Sequence, residues 1–342
     1  MAGYAPLRWG MLGCGSIANR LGADVMRLGD HRIQAIASRD ADKAGAYAEK
    51  FGVPTRHTGS SAYADLVDDP EVDLIYVATP HNFHREHALL ALEAGKPVLC
   101  EKPFTVNLLE AEEVIAVARA KGLFLMEGVW SRCFPVWRSI VARIAEGAIG
   151  APRMVYCDFG YRAGTLASDG RLSGYNAEGR LFNPALAGGG LMDVGIYPIS
   201  LSQMLFGNPS DVKAVGCLGH SGVDENVGIV LGFPGGEIAM ASTSIQVTTP
   251  FTTTILGTEG RIEVESPWWR PKRYTIHAGG NAEMVAFEHE GEGFQFEAMH
   301  VAECLRSGLL ESPVMPLSDT LAVMRALDEV RRQIGLSFPM EA

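Results

Sequence analysis

Short apolar runs alternate with segments of helical periodicity through the first third of the chain. The runs cover residues 7–12, 33–37, 74–78, 97–100 and 124–126, and between them 40–51, 84–94 and 108–121 carry apolar positions at i, i+3, i+4. Strand and helix in alternation predict a parallel sheet covered on both faces, a doubly wound α/β unit. After a helix over 136–146 the texture changes. Stretches at 153–162, 211–218, 228–233, 237–247, 251–257, 261–265 and 273–277 follow one another almost without helices, which predicts a large, predominantly antiparallel open sheet. Helical periodicity returns at 190–206, 294–307 and 318–334. The fold expected is therefore α/β, with a doubly wound domain over 1–128 and an α+β domain over 129–342 whose last helix can pack back on the first.

Composition narrows the classes of function. With 47% hydrophobic and 20% charged residues in a chain of 342, a folded globular protein is expected. The net charge of −11, with basic residues scattered singly, argues against a nucleic-acid partner. No apolar run approaches the roughly 18 residues of a membrane span, and residues 1–8 lack the pattern of a secretory signal. Cys14, Cys100, Cys133, Cys157, Cys217 and Cys304 lie far apart with no C-x-x-C pair, so no metal site is expected. Buried free thiols in a reducing cytoplasm fit that spacing.

Candidate chemistry begins directly after the first strand. Gly13-Cys14-Gly15-Ser16-Ile17-Ala18 reads G-x-G-x-x-A and opens a helix, the arrangement of a Rossmann dinucleotide-binding turn. In that reading Gly13 makes the tight turn, Gly15 admits the pyrophosphate and Ala18 packs helix on strand. An NAD site usually places Asp or Glu at the end of the second strand; here stand Ser38 and Arg39. A hydroxyl and a guanidinium suit a 2′-phosphate, which favours NADP over NAD. The alternative is a surface arginine beside an Asp40 that only caps the next helix. Thr79, Pro80, His81, Asn82 and His84 follow the fourth strand, at the sheet edge where such folds bind ligands.

Two further groups carry reactive side chains. Glu101-Lys102-Pro103 follows the fifth strand, and Gly188-Gly189-Gly190 leads into a helical stretch with Asp193 and Tyr197 at i and i+4. That spacing places the carboxylate and phenol on one helix face, and the glycines allow backbone close to a ligand. The long segment 163–187, rich in Gly, Asn, Arg and Ser, reads as a functional loop.

These motifs, with Met126-Glu127-Gly128-Val129-Trp130-Ser131-Arg132, Gly257-Thr258-Glu259-Gly260, Pro267-Trp268-Trp269 and the tail around 303–317, resemble the glucose-fructose oxidoreductase, inositol dehydrogenase and rhizopine-catabolism superfamily. Within it the chain is most similar to the branch of dimeric dihydrodiol dehydrogenases and NADP-dependent D-xylose dehydrogenases. The resemblance implies Tyr197 as catalytic acid/base, Lys102 as the lysine of the E-K-P motif and Asp193 as its companion. It also implies that Gly13, Gly15, Ser16, Ile17, Ser38, Arg39, Thr79, Pro80, His81, Asn82, His84, Glu101, Lys102, Trp130 and Arg132 line the cofactor site. Cys133 departs from the branch, where a bulky aromatic is common, and 163–180 is longer than in animal relatives.

The chemistry agrees with these roles. Oxidising a carbinol requires a base for the hydroxyl proton while hydride leaves, and a phenol serves if a nearby ammonium lowers its pKa. Trp130, Phe159, Arg162, Tyr175, Arg180 and Asp193 are the candidate substrate contacts. The expectation is an NADP-dependent oxidoreductase acting on a sugar or cyclic vicinal diol, with the site between the two halves. An anhydro-keto-sugar reductase, or a non-catalytic NADP-binding sensor, would share the same scaffold. Apolar residues on both faces of 237–245 predict a homodimer formed through the second sheet.

Overall fold

The computed structural model describes residues 5–168 and 172–341. The chain divides into two compact units, one running to Cys133 and including Glu290–Thr320, the other formed by Phe134–His289 with the residues from Leu321 onward.

In the first unit β1 (Leu7–Leu12), β2 (His31–Ser38), β3 (Thr55–Thr58), β4 (Leu74–Val77), β5 (Val98–Glu101) and β6 (Leu125–Gly128) form a six-stranded sheet in the order β3-β2-β1-β4-β5-β6. Every neighbouring pair is parallel, and helices α1 (Ser16–Val25), α2 (Ala41–Phe51), α3 (Ala62–Val67), α4 (His84–Glu93) and α5 (Leu108–Lys121) link successive strands. All residues of β4, β5 and β6 are buried, as a sheet covered on both faces requires. The order reverses between β1 and β4, the point where ligands enter this topology. The edge strand β3 reads Thr-Arg-His-Thr and offers no apolar pattern to detect.

A late segment completes this unit. Asp24 of α1 is 2% exposed, and its carboxylate accepts the backbone N–H groups of Glu292, Gly293 and Phe294 at 2.9–3.2 Å. It thereby caps α8 (Phe294–Arg306) and supplies an acceptor for three donors a helix start leaves open.

The second unit is built on an eight-stranded sheet in the order β10-β11-β12-β7-β13-β14-β15-β16. These strands are β7 (Pro152–Gly160), β10 (Asp211–Leu218), β11 (Asp224–Gly232), β12 (Ile238–Ser244), β13 (Thr253–Gly257), β14 (Gly260–Val264), β15 (Arg273–Ala278) and β16 (Asn281–Ala286). Only β7 and β12 pair in parallel, so the sheet is predominantly antiparallel as expected. β11 begins at Asp224 rather than 228, because its buried polar start, Asp224-Glu225, interrupts the apolar run. β16 is exposed along most of its length and carries no alternation.

Helices α6 (Pro135–Ala145), α7 (Ile196–Phe206) and α9 (Leu317–Ile334) complete the pattern. Trp137 of α6 donates Nε1–H to the Trp268 carbonyl at 3.1 Å. From α9, the Gln333 side chain bonds the β10 backbone at Val212 and Ala214, each at 2.7 Å, which occupies hydrogen-bonding groups of that edge strand. The long loop contains a short hairpin, β8 (Thr165–Leu166) with β9 (Leu172–Ser173). It rests on its own cluster of Leu172, Phe182, Val223 and Ile245. Among the described residues no helix is long and apolar enough to cross a membrane and no cluster could hold a metal ion. All six cysteines are free; Cys217 is exposed, Cys14 half-buried and the rest buried.

Candidate active site

The glycine turn after β1 has the geometry its sequence implies. Gly13 sits at φ +104°, where a Cβ would lie 3.0 Å from the Ala78 carbonyl oxygen, so a side chain there meets both strain and a clash. Gly15 stands extended before α1, with no side-chain cap and no acidic residue in the helix's first turn. Ser16 is exposed, Ile17 half-buried and Ala18 fully buried, its carbonyl accepting the Tyr47 hydroxyl at 3.0 Å. The start of α1 thus has no side-chain cap, and its N–H groups and dipole could hold an anion.

At the end of β2, Ser38 accepts the Asp40 N–H at 3.2 Å. The Asp40 carboxylate turns away to cap α2 through the N–H groups of Asp42 and Lys43, both at 3.1 Å. Arg39 is exposed, its guanidinium 5.8 Å from the Phe83 ring. Beyond β4, Asn82 Oδ1 is buried with no hydrogen-bond partner, an acceptor or, with its amide, a donor set waiting for a polar ligand. Pro80 is half-buried, and Thr79 Oγ1 meets His87 Nδ1 at 2.9 Å. Burial, with His84 and Arg39 nearby, pushes the His87 imidazole down to about 4.

His84 takes a supporting place. It is fully buried, with Nδ1 at 2.8 Å from the Pro103 carbonyl and Nε2 at 2.8 Å from that of Thr79. The ring ties the loop after β5 to the end of β4, and His81 packs edge-on against it at 5.8 Å. Glu101 is 4% exposed; it accepts the Tyr76 hydroxyl and, at 3.1 Å, the Lys102 N–H. Lys102 is half-buried, and its bond to Pro103 is cis. Trp130 is stacked 4.1 Å from Phe294 with the Arg20 guanidinium 5.9 Å away. Arg132 is 3% exposed and paired with Asp319 at 2.8 Å, and burial holds its pKa below the usual arginine value. One group had no sequence signal. Glu297 of α8 is fully buried, and burial with the Glu101 charge raises it well above the usual carboxylate range.

In the second unit the stretch with Asp193 and Tyr197 is not one regular helix. Leu191–Gly195 is wound as a π-helix before α7 begins at Ile196. The wider winding breaks the i, i+4 stacking that α geometry predicts, and π turns of this kind occur often at functional sites. The two side chains meet different partners. Asp193, 5% exposed, accepts the Tyr161 hydroxyl at 2.7 Å and Arg180 Nη1 at 2.8 Å. Burial and the Asp193 charge push the Tyr161 phenol well up, which keeps it a neutral donor. Tyr197, 7% exposed, lies 5.4 Å from Phe159, and Phe159 is stacked on Trp269 at 3.6 Å. Tyr175 instead packs on Phe182 at 4.1 Å within the loop's own cluster, and Arg162 is exposed.

The glycine run serves a protein contact. A Cβ on Gly189, whose φ is +119°, would fall 2.1 Å from Asp224 Oδ1. Asp224 is fully buried, and its Oδ2 accepts the Leu191 N–H at 2.6 Å. Burial pushes this carboxyl up to about 7 against the backbone donors that favour its charge. The glycines thus give a carboxylate, where a ligand was expected, access to the start of the π turn.

Comparison with known proteins agrees with this architecture. Residues 7–129 match the model of an oxidoreductase family with an NAD-binding Rossmann fold, and 137–263 match the GFO/IDH/MocA C-terminal domain. The chain is 36% identical to a trans-1,2-dihydrobenzene-1,2-diol dehydrogenase of Mus musculus, covering 98% of this chain and 99% of that one. The Homo sapiens enzyme of the same name is 35% identical over the same shares. Among solved structures, an aldose-aldose oxidoreductase from Caulobacter crescentus complexed with glycerol superposes with a TM-score of 0.84 at 27% identity, over 96% of this chain and 97% of that one. A 3-ketoreductase from Actinomadura kijaniata in complex with NADP and TDP-benzene gives 0.79 at 27%, over 96% and 98%. The two family matches, the relatives that span the chain and the glycine turn at the switch point of the sheet make this protein an oxidoreductase of the GFO/IDH/MocA family with a nicotinamide cofactor.

Proposed function

We propose that the chain is an NADP-dependent oxidoreductase that transfers hydride between the nicotinamide and a carbinol or carbonyl carbon of a sugar or cyclic vicinal diol. The observation that carries this reading is the Asp193 network: a buried carboxylate with two donors, Tyr161 and Arg180, in the turn that leads to Tyr197. The glycine turn, the uncapped start of α1 and the unpartnered Asn82 Oδ1 fit a dinucleotide. The exposed Arg39 beside Ser38, with Asp40 committed to capping α2, favours the 2′-phosphorylated form. The nicotinamide ring supplies the hydride acceptor or donor. Tyr197 exchanges the hydroxyl proton, Lys102 favours its phenolate, and Asp193 orients a substrate hydroxyl through Arg180. The Phe159–Trp269 stack gives a flat apolar surface that suits one face of a sugar or cyclohexadiene ring. The dehydrogenases of dihydrodiols at 35–36% identity support a diol, and the 3-ketoreductase solved with NADP supports a sugar ketone.

The test is NADPH formation across pentoses, hexoses and trans-dihydrodiols. Tyr197→Phe and Lys102→Met should each lose orders of magnitude in turnover yet still bind NADPH. Full activity in both variants sinks the assignment, and tight NADPH binding with no turnover across the panel favours a sensor. Its four buried free thiols fit a reducing cytoplasm. The homodimer belongs to the same proposal, because the second sheet presents exposed Tyr156, Val230 and Met240 in register across three adjacent strands.

A further inference from the structure

We propose that Asp224 is a positioning residue for the reaction, holding the π-wound turn that carries Asp193 into Tyr197. This rests on the reading of Tyr197 as acid/base given above. A helix start leaves its first N–H groups without partners, and Gly190, at the cap position here, has no side chain to accept one. Asp224 reaches in from the neighbouring β11 and accepts the Leu191 N–H at 2.6 Å. The approach has no slack. A Cβ on Gly189 would overlap Oδ1 at 2.1 Å, and one on Gly190 would press on Oδ2 and on Ile245 at 3.3 Å each.

The fixed turn places the side chains that follow it. The Asp193 N–H bonds the carbonyl of Gly189 at 3.2 Å, so the glycine packed against Asp224 is tied directly to the residue whose carboxylate meets Tyr161 and Arg180. On the same stretch, Thr243 of β12 bounds Gly195, whose Cβ would lie 3.1 Å from its methyl group. The turn is held at its start by a carboxylate and near its end by a strand. A fully buried Asp stands in this position although its charge costs desolvation there. Removal of the side chain leaves the Leu191 N–H without an acceptor and frees the turn to rewind toward α geometry, which rotates Asp193 and Tyr197 relative to each other.

The experiment uses the full chain, with D-xylose and trans-1,2-dihydrobenzene-1,2-diol as substrates. Asp224→Ala should lower kcat at least tenfold while the Kd for NADPH stays within twofold. Asp224→Asn keeps an oxygen for the Leu191 N–H and should recover kcat to within about threefold of the parent. Gly190→Ala leaves a helical φ but displaces the carboxylate; it should lower kcat several-fold and serves if Asp224→Ala does not fold. The double variant Asp224→Ala/Tyr197→Phe should be no slower than Tyr197→Phe alone, since both act through one proton transfer. Unchanged kcat in Asp224→Ala or Gly190→Ala, or losses that multiply in the double variant, overturn the proposal. Full activity of Tyr197→Phe, or a parent inactive across the whole panel of pentoses, hexoses and trans-dihydrodiols, instead overturns the reading of the site, and the Asp224 role in turnover falls with it.

Discussion

Arg180 and Asp193 form an ion pair at 2.8 Å in which the arginine side chain is 48% exposed and the aspartate side chain 7%. Burial fixes the carboxylate, and the pair sets where the half-exposed guanidinium stands; in the proposed reading that guanidinium meets a substrate hydroxyl. Tyr161 holds the other oxygen of the same carboxylate.

The two donors should therefore separate in mutants. Tyr161→Phe leaves a buried carboxylate short of a hydrogen bond, a loss of about 1–3 kcal/mol, while Arg180→Met removes a solvent-screened pair and costs under about 1 kcal/mol. In turnover the order should reverse for KM: Arg180→Met raises KM for the diol or sugar about tenfold, and Tyr161→Phe acts mainly on kcat. Urea unfolding and steady-state kinetics on both variants check this. Equal effects on stability and on KM would remove the distinction drawn between the two donors.

Cofactor choice gives a second prediction. The Asp40 carboxylate beside Arg39 is spent on the N–H groups of Asp42 and Lys43, so in the proposed reading it does not compete with Arg39 at the ribose. Arg39→Leu should lower kcat/KM for NADP by about 10- to 100-fold, the value of a charge-assisted phosphate contact of about 1.5–3 kcal/mol. The value for NAD should stay within about threefold. An unchanged NADP to NAD ratio would return Arg39 to the surface.

Buried carboxyls give the fold a pH signature. Glu127 is fully buried, with Oε1 accepting the Phe104 N–H at 3.0 Å, and burial pushes its pKa from 4.5 up to about 7. In the pH window between those values the folded chain holds a proton that the unfolded chain has lost. Stability from this group is therefore full below about pH 4.5, declines as pH rises to about 7, and is flat above. Glu127→Gln keeps the acceptor without the charge. Relative to the parent it should gain nothing at pH 4.5 and up to about 3 kcal/mol at pH 8, read from denaturant midpoints across that range. A stability difference that does not grow with pH would show that Glu127 ionises freely in the fold.

The contrast between the two units explains what the sequence revealed. The doubly wound sheet is legible because burial on both faces writes uninterrupted apolar runs, and because the turn at Gly13 needs a residue without Cβ. The Lys102, Asp193 and Tyr197 candidates stand out in the sequence through motifs. Tyr161 and Asp224 are not, since their partners are distant in sequence and each sits at a strand end where polar residues read as a turn. Glu297 is hidden for the same reason, as one carboxylate among several on an amphipathic helix. The π winding at Leu191–Gly195 is not legible either; the contact of its start with Asp224 of β11 is one that only the folded chain makes. The triple glycine was the visible trace of Asp224, and its meaning depends on what stands opposite.

The outer face of the second sheet supports the last prediction. Tyr156, Met240 and Val230 are paired across β7, β12 and β11, and are 41%, 43% and 39% exposed. Alternation along β12 buries Ala239 and Ala241 and leaves Ile238 and Met240 outward, at 40% and 43% exposure. A second copy of the same face would bury this row by symmetry. A charge at its centre would be desolvated on association or pushed against its own image across a two-fold axis. Met240→Glu should accordingly give a monomer by light scattering at micromolar concentration where the parent is a dimer. Its melting temperature should become independent of protein concentration. A parent that scatters as a monomer, or a Met240→Glu variant that remains dimeric, would move the interface away from this face.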